Sequence, residues 1–252
     1  MITSKTNKLI KHIKSLSQKK NRDENGEYIV EGIKMVAEAI SSDLQITKIV
    51  VCNDFFNDAF KIPSSNEIEY VSSNVFEYIS DTQTPQGILA VVKKSENYIK
   101  ASLPNIIFAL DNVQDPGNLG TIIRTLDCAG INTLLLSKGC ADEYNTKVIR
   151  STMGAIFRVN ILSGLELVTE LEKLKEKGYK VIVTALDADA NLFDYSFSEK
   201  CIIVIGNESN GVSEEIQKIA DVRIKIPMVG NTESLNAGVA ASLMAYEVYR
   251  KK

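Results

Sequence analysis

The sequence predicts an α/β fold: a parallel sheet flanked by helices, preceded by a smaller α/β unit. Two observations predict it. From Asn105 to the C-terminus, apolar strand-like runs alternate with helical segments, the pattern of a parallel sheet covered on both faces. Ahead of them, "KKSENYIKASLPN" is polar and charged with a proline near its end, and it separates two blocks of patterned sequence. The boundary lies around Ser95 to Pro104, giving domains over 1–98 and 104–252.

The first block opens with "NKLIKHIKSLSQKK", where Leu9, Ile10, Ile13 and Leu16 share one face and Lys8, Lys11 and Lys14 another. That spacing predicts a basic amphipathic helix. "EYIVEGIKMVAEAI" reads as a short strand that passes through Glu31 and Gly32 into a helix. "ITKIVVC", "IEYV" and "GILAVVK" are β-branched runs that predict strands, with the helical "SNVFEYIS" between the last two.

In the second block "NIIFALDN" predicts a strand and "LGTIIRTLDCAG" a helix closed by Gly130, a favoured residue just past a helix end. "INTLLLS", "IFRVNIL", "KVIVTAL", "CIIVIGNES" and "VRIKIPM" are further strands. "TKVIRSTMGA", "LELVTELEKLKEKG", "EEIQKIA" and "SLNAGVAASLMAYEVYRKK" are the helices among and after them. A sheet of this kind binds ligands beyond the carboxyl ends of its strands.

Composition removes several functional classes. The chain has 252 residues, one histidine (His12) and four scattered cysteines with no C-x-x-C pair. A catalytic triad built on histidine, a two-histidine metal centre and a disulfide scaffold are therefore not expected, and no metal ligands are assigned. No apolar run approaches the roughly 20 residues of a membrane span, and a reducing, cytoplasmic location is the expectation. The net charge is −3, yet residues 1–22 carry seven Lys or Arg and no acid. Lys8, Lys11, Lys14, Lys19, Lys20 and Arg22 are the candidate phosphate contacts. A solvated helix face has the same composition, and charge alone favours that simpler reading.

Three strand-to-helix turns carry the chemistry: "DNVQDPGNLG", "IGNESNGVS" and "IPMVGNTESLNAG". Together they are rich in Gly, Asn and Ser, which let backbone amides approach a ligand and cap the following helix. A plain βα turn needs the same residues, so each turn alone is as well explained by structure. Neither G-x-G-x-x-G nor G-x-x-x-x-G-K-[ST] occurs, so neither NAD nor ATP is indicated.

Together, "NVQDPGNLGTIIRT", "IVIGNESNGV" and "IKIPMVGNTESLNAGVAASLMAYE" resemble, in order, the three motifs of the SpoU (TrmH) family of RNA ribose 2′-O-methyltransferases. "KHIKSLSQKKNRDENGEYIVEGIKMVAEAI" is similar to that family's L30e-like N-terminal substrate-binding domain. The resemblance implies a SPOUT domain with a deep C-terminal trefoil knot, S-adenosylmethionine as cofactor, an RNA substrate and a homodimer. It implies cofactor contacts at Gly206, Ile226 and Leu235, with Asn207, Gly211, Met228 and Ala237 nearby and Thr184 and Ala185 lining the same pocket. Pro227 also falls where the sheet edge must give way to a ligand.

The resemblance further implies a catalytic set of Asn118, Arg124, Glu208, Ser234 and Asn236, in which Arg124 is a proposed general base. A guanidinium stays protonated in nearly all protein settings, so an electrostatic role, clamping a phosphate, is preferred. Simpler readings stand beside these: Arg124 as a surface cation, Asn118 as a helix cap, and Glu208 as a carboxylate near a helix start. Ser234 and Asn236 read equally as caps of the last helix. Asp111 and Asp115 read as turn formers, His12 as a surface residue, and Tyr246 and Tyr249 as packing residues. Small residues at Ala237, Gly238, Ala240 and Ala241 suit close approach of a second subunit or of the chain's own sheet. Ribosomal RNA is the expected target, with tRNA, a base nitrogen as methyl acceptor and a non-catalytic knotted RNA-binding protein as the alternatives.

Overall fold

The computed structural model describes residues 1–42, 44–55, 62–63, 66–94, 103–188 and 190–251. Most of the boundary expected at Ser95 to Pro104 lies outside them. The chain forms two compact units: residues 1–96 with 144–157, and residues 97–143 with 158–252. No helix among the described residues is long and apolar enough to cross a membrane.

In the first unit α1 (Lys8–Ser15) starts where the Asn7 side chain accepts from the Leu9 N–H at 2.9 Å. The expected single basic helix is in fact two, because α1 stops and α2 (Lys19–Asn25) begins after a tight turn. Arg22 makes the turn. Its Nη1 donates to the carbonyls of Leu16 and Ser17, both at 2.8 Å, and the residue is only 3% exposed. Arg22 is thus a structural clamp and not a phosphate contact. His12 is likewise no bystander: its Nε2 lies 2.7 Å from Oε2 of buried Glu27, whose Oε1 meets Lys93 at 3.0 Å.

The unit continues through β1 (Glu27–Glu31), α3 (Ile33–Ile40), β2 (Ile46–Cys52), β3 (Ile68–Val71), α4 (Ser73–Ile79) and β4 (Ile88–Lys93). Its sheet runs β1-β4-β2-β3, antiparallel except for the β2–β3 pair. Ile10, Ile13 and Leu16 of the α1 face pack on Val75 and Phe76 of α4 and on Val50, Leu89 and Val91 of the sheet. The predicted helix in "TKVIRSTMGA" spans Thr146–Thr152 and packs with this unit. Tyr144 holds it there, with its ring 4.5 Å from that of Tyr28 and 4.8 Å from the Lys94 ammonium. Ala155–Phe157 forms a single 3₁₀ turn that takes in the first two residues of the predicted strand "IFRVNIL", and the strand begins later, at Asn160.

The second unit contains β5 (Ile106–Leu110), α5 (Pro116–Cys128), β6 (Thr133–Ser137), β7 (Asn160–Leu165), α7 (Leu167–Glu176) and β8 (Lys180–Thr184), α6 being the Thr146–Thr152 helix already described. A two-residue β9 (Ala190–Asn191), β10 (Cys201–Ile205), α8 (Glu214–Ile219), β11 (Val222–Lys225) and α9 (Ala237–Arg250) complete it. All seven strands are parallel, in the order β7-β6-β5-β10-β8-β11-β9. The adjacent β5 and β10 are buried at every position, which is why "IIFAL" and "CIIVI" read as unbroken apolar runs.

One face of the sheet is covered by Leu167, Leu171 and Leu174 of α7 and Ile216 of α8. Each such leucine or isoleucine contributes about 1.5–3 kcal/mol relative to exposure. α5 packs along α9, where the hydroxyls of Thr125 and Ser242 meet at 3.1 Å. A Cβ on Gly238 would stand 3.4 Å from Thr121 Cγ2, so the small residues Ala237, Gly238 and Ala241 are buried within this chain. Tyr246 and Tyr249, read from sequence as packing residues, are instead exposed.

Candidate active site

Three loops at the carboxyl ends of β5, β10 and β11 meet at one end of the sheet. The first begins at Asp111, which is buried. Its Oδ2 accepts from the Ser213 N–H at 2.8 Å and its Oδ1 from Asn112 Nδ2 at 3.0 Å. This carboxylate staples the first loop to the start of α8, a larger task than forming a turn. Asp115 caps α5 by accepting from the Asn118 N–H at 2.7 Å, and Pro116 occupies the first helical position. Asn118 is therefore inside the helix and not its cap, which releases its side chain for other work.

The second loop closes on itself. Asn207 and Gly211 exchange backbone hydrogen bonds at 2.9 Å in both directions. A Cβ on Gly206 would lie 2.1 Å from the Gly211 carbonyl carbon, so only glycine admits this closure. Asn207 Nδ2 donates to the Asn112 carbonyl at 2.8 Å and ties the second loop to the first. Glu208 is displayed from this tight, doubly anchored loop.

The third loop delivers Asn236, which caps α9 by accepting from the N–H groups of Gly238 at 2.9 Å and Val239 at 3.3 Å. Backbone donors thus face its oxygen, and its Nδ2 must be the atom that reaches Asn118 Oδ1 at 2.8 Å. That in turn directs Asn118 Nδ2 at Glu208 Oε1, 2.6 Å away. One chain of side chains joins all three motifs.

Beside it lies a cavity of about 380 Å³, in the range of small-molecule sites. Thr184, Ala185, Gly206, Asn207, Gly211, Ile226, Met228, Leu235 and Ala237, all expected from the resemblance, line it. Glu208 and Ser234 line it too. Sequence reasoning missed Asp187 and Glu233 in the same wall, neither of which sits at a motif position read as functional. The Arg223 guanidinium donates to Asp187 and holds its carboxyl below the usual carboxylate range. With three carboxylates and, among the described residues, no lysine or arginine in its lining, the cavity suits an organic cation.

A second, more polar cavity lies across the 207–211 loop, bounded by Asp111, Asn112, Gln114, Asp115 and Pro116. Glu208 stands in the wall of both. Arg124 lines neither: it is exposed on α5 and has no hydrogen bond or ion pair among the described residues.

The expected RNA-contacting lysines are on α1 and α2 of the first unit. Lys8 and Lys11 are exposed, and Lys14 stands 5.3 Å over the Tyr78 ring. Lys19 and Lys20 each have an acid one turn on, at 3.5 Å from Asp23 and 3.7 Å from Glu24. None of the four cysteines is in a disulfide, and no group of three metal-binding side chains is found among the described residues.

Residues 105–246 match the SpoU rRNA Methylase family, and residues 7–90 match the MRM3-like substrate binding domain. The chain belongs to the SpoU rRNA methylase family. This SpoU chain is 35% identical over 251 residues to the 23S rRNA (guanosine(2553)-2′-O)-methyltransferase RlmP of Bacillus subtilis, with 98% of each chain covered. Its fold matches an AdoMet-bound rRNA methyltransferase from Sinorhizobium meliloti with TM-score 0.86 at 28% identity, covering 99% of this chain and 97% of the other. An RNA 2′-O ribose methyltransferase of known structure matches with TM-score 0.83 at 26% identity, over 99% and 98% of the two chains. The matched span of residues 105–246 contains the three loops that the hydrogen-bonded chain of Asn236, Asn118 and Glu208 ties together.

Proposed function

We propose that this chain is an S-adenosylmethionine-dependent methyltransferase acting on a ribose 2′-hydroxyl of ribosomal RNA. One observation supports it above others: every position expected to hold the cofactor lines a single acidic cavity, with Glu208 and Ser234 at its edge. The nearly full-length similarity to a 23S rRNA enzyme supports the RNA class.

When bound, S-adenosylmethionine supplies an electrophilic methyl on a cationic sulfonium. The chain's own residues do the rest. Gly206, Ile226 and Leu235 offer backbone groups to the adenosine portion, and the carboxylates of Asp187, Glu208 and Glu233 favour the positive charge. Ser234 orients the ribose. Arg124, which has no ion pair among the described residues, clamps a phosphate of the target strand. Lys8, Lys11 and Lys14 add phosphate contacts in the first unit, which holds the RNA.

The same reading gives the C-terminal portion a trefoil knot. It is supported by the 192–195 segment lying against the end of α9, where Lys251 Nζ donates to the carbonyls of Phe193 at 2.8 Å and Tyr195 at 2.7 Å. It also makes the protein a homodimer, supported by the exposed apolar stripe of Val239, Leu243, Tyr246 and Tyr249 on α9. It places the protein in the cytoplasm with its substrate.

The test is transfer of labelled methyl from S-adenosylmethionine to ribosomal RNA isolated from cells lacking the gene. Label at an alkali-resistant linkage is expected, because a 2′-O-methyl group blocks strand cleavage. Cofactor binding without transfer to any ribosomal RNA would overturn the assignment to ribosomal RNA.

A further inference from the structure

Glu208 stands in the wall common to both cavities, and its two carboxylate oxygens are not equivalent. Oε1 accepts from Asn118 at 2.6 Å. No protein donor reaches Oε2 among the described residues. Asn118, by contrast, has its amide fully directed, with Nδ2 on Glu208 and Oδ1 accepting from Asn236. An amide committed at both ends is a poor candidate for orienting a ribose, but a good one for aiming a carboxylate.

We propose that Glu208 is the proton acceptor of the methyl transfer and that Asn118 is its positioning residue. This rests on the function proposed above. The 2′-hydroxyl approaches from the second cavity and hydrogen-bonds to Oε2. As its oxygen forms a bond to the methyl carbon, the carbon–sulfur bond breaks and its electron pair stays on sulfur. The hydroxyl proton moves to Oε2, leaving a neutral carboxylic acid where a carboxylate stood. Charge balances: the sulfonium and the carboxylate neutralise each other in one step. The proton passes to water once the product leaves.

The groups facing Glu208 leave it the best placed for this work. From the loop after β5 come Asp111, with both oxygens engaged, and Asp115, engaged in capping α5. From the loop after β8 comes Asp187, paired with Arg223, and from the loop before α9 comes Glu233, in the wall of the cofactor cavity alone. No histidine, lysine or arginine lines either cavity among the described residues. Arg124 lies outside both, and a guanidinium is a weak proton acceptor in any case.

Single-turnover methyl transfer to ribosomal RNA, followed from acid to neutral pH, tests this. Calorimetric binding of S-adenosylhomocysteine serves as a second readout that needs no catalysis. In the unaltered protein the rate should fall on the acid side. Glu208→Gln, which keeps the acceptor for Asn118, should lower the rate by about 10²–10⁴-fold and abolish the acid limb. Its affinity for S-adenosylhomocysteine should stay within about threefold, showing that the folded pocket persists. Glu208→Asp should restore part of the rate together with the acid limb. Asn118→Ala should lower kcat by about tenfold or more at an RNA KM changed by less than about threefold, with the limb retained.

A Glu208→Gln protein that keeps its rate, or keeps the limb, overturns the inference while the proposed function stands. A limb that vanishes in Arg124→Ala and survives in Glu208→Gln overturns it in favour of arginine. An unaltered protein that transfers no methyl to any ribosomal RNA overturns the function and the inference together.

Discussion

Asn236 donates to Asn118 at 2.8 Å across 118 residues of sequence, and the first backbone amides of α9 dictate the direction of that bond. A capping residue therefore does two separable jobs. Asn236→Asp preserves the cap, because a carboxylate accepts equally well from the helix N–H groups. It removes the donor, however, and sets acceptor against acceptor at Asn118. Asn236→Asp should show a urea midpoint near that of the unaltered protein but about 10–100-fold slower methyl transfer. Asn236→Ala should lose both, with about 1 kcal/mol of stability gone. Equal losses of activity and stability in the two variants would remove the distinction.

Gly206 makes the second prediction. A Cβ there would meet Gly211 carbon at 2.1 Å and Val212 nitrogen at 2.2 Å, and both are backbone atoms that no rotamer change can move. Gly206→Ala must reopen the 207–211 loop at a cost of about 1–3 kcal/mol or more. Because that loop walls the acidic cavity proposed to hold the cofactor, calorimetric affinity for S-adenosylhomocysteine should fall at least about tenfold. Gly211→Ala is the comparison: its Cβ meets nothing within 4 Å, although φ is +68°, so its cost is backbone strain and not collision.

What the sequence made legible follows from range. β5 and β10 were readable because burial on both faces turns "IIFAL" and "CIIVI" into unbroken apolar runs. β9 was not, since two residues carry no periodicity, and it exists only by pairing with β11. The break between α1 and α2 was hidden for a related reason: the lysine pattern runs across it, and only the burial of Arg22 reveals the turn. The cavity lining was readable at motif positions through resemblance. Asp187 and Glu233 were invisible because their place in the wall is set by tertiary folding. The same holds for the bond between Asn118 and Glu208, whose partners stand 90 positions apart.

Arg22 and Lys11 should separate structure from recognition. Arg22→Ala leaves two carbonyls of the α1–α2 turn without their donor in a buried site, at about 1–3 kcal/mol. Lys11 is exposed, and Lys11→Ala should leave stability within about 0.5 kcal/mol. If Lys11 meets a phosphate, that variant should lower the slope of log affinity against log salt by about 1. Filter binding across a salt series, beside thermal melts, reads both effects. A changed salt slope in Arg22→Ala at unchanged stability would reverse the assignments.

Glu27 predicts acid sensitivity in the first unit. Burial raises its carboxyl, but hydrogen bonds from His12 and Lys93 outweigh that and hold it below the ordinary range. A folded value below the unfolded one means that the stabilisation is complete above the unfolded value of about 4.5 and is lost as pH falls beneath it. The urea midpoint of the unaltered protein should therefore exceed that of Glu27→Gln at pH 7, and the gap should close as pH drops below about 4.5. A gap that is constant with pH would assign the difference to packing alone.

The exposed stripe on α9 makes the last prediction. Val239, Leu243, Tyr246 and Tyr249 follow one another at helical spacing, and all four are exposed in the single chain. The small residues Ala237, Gly238 and Ala241 of the same helix are already buried within the chain, with Gly238 beside Thr121 of α5. If the protein is a homodimer, the stripe is the apolar surface of α9 left to cover. Leu243→Lys with Tyr246→Lys adds two like charges at exposed positions of it, so the folded subunit should keep its stability within about 0.5–1 kcal/mol. Sedimentation should then report a monomer where the unaltered protein sediments as a dimer. A dimer that survives both substitutions places the interface on another surface, and α9 would then present its aromatic residues to something other than a second copy of the chain.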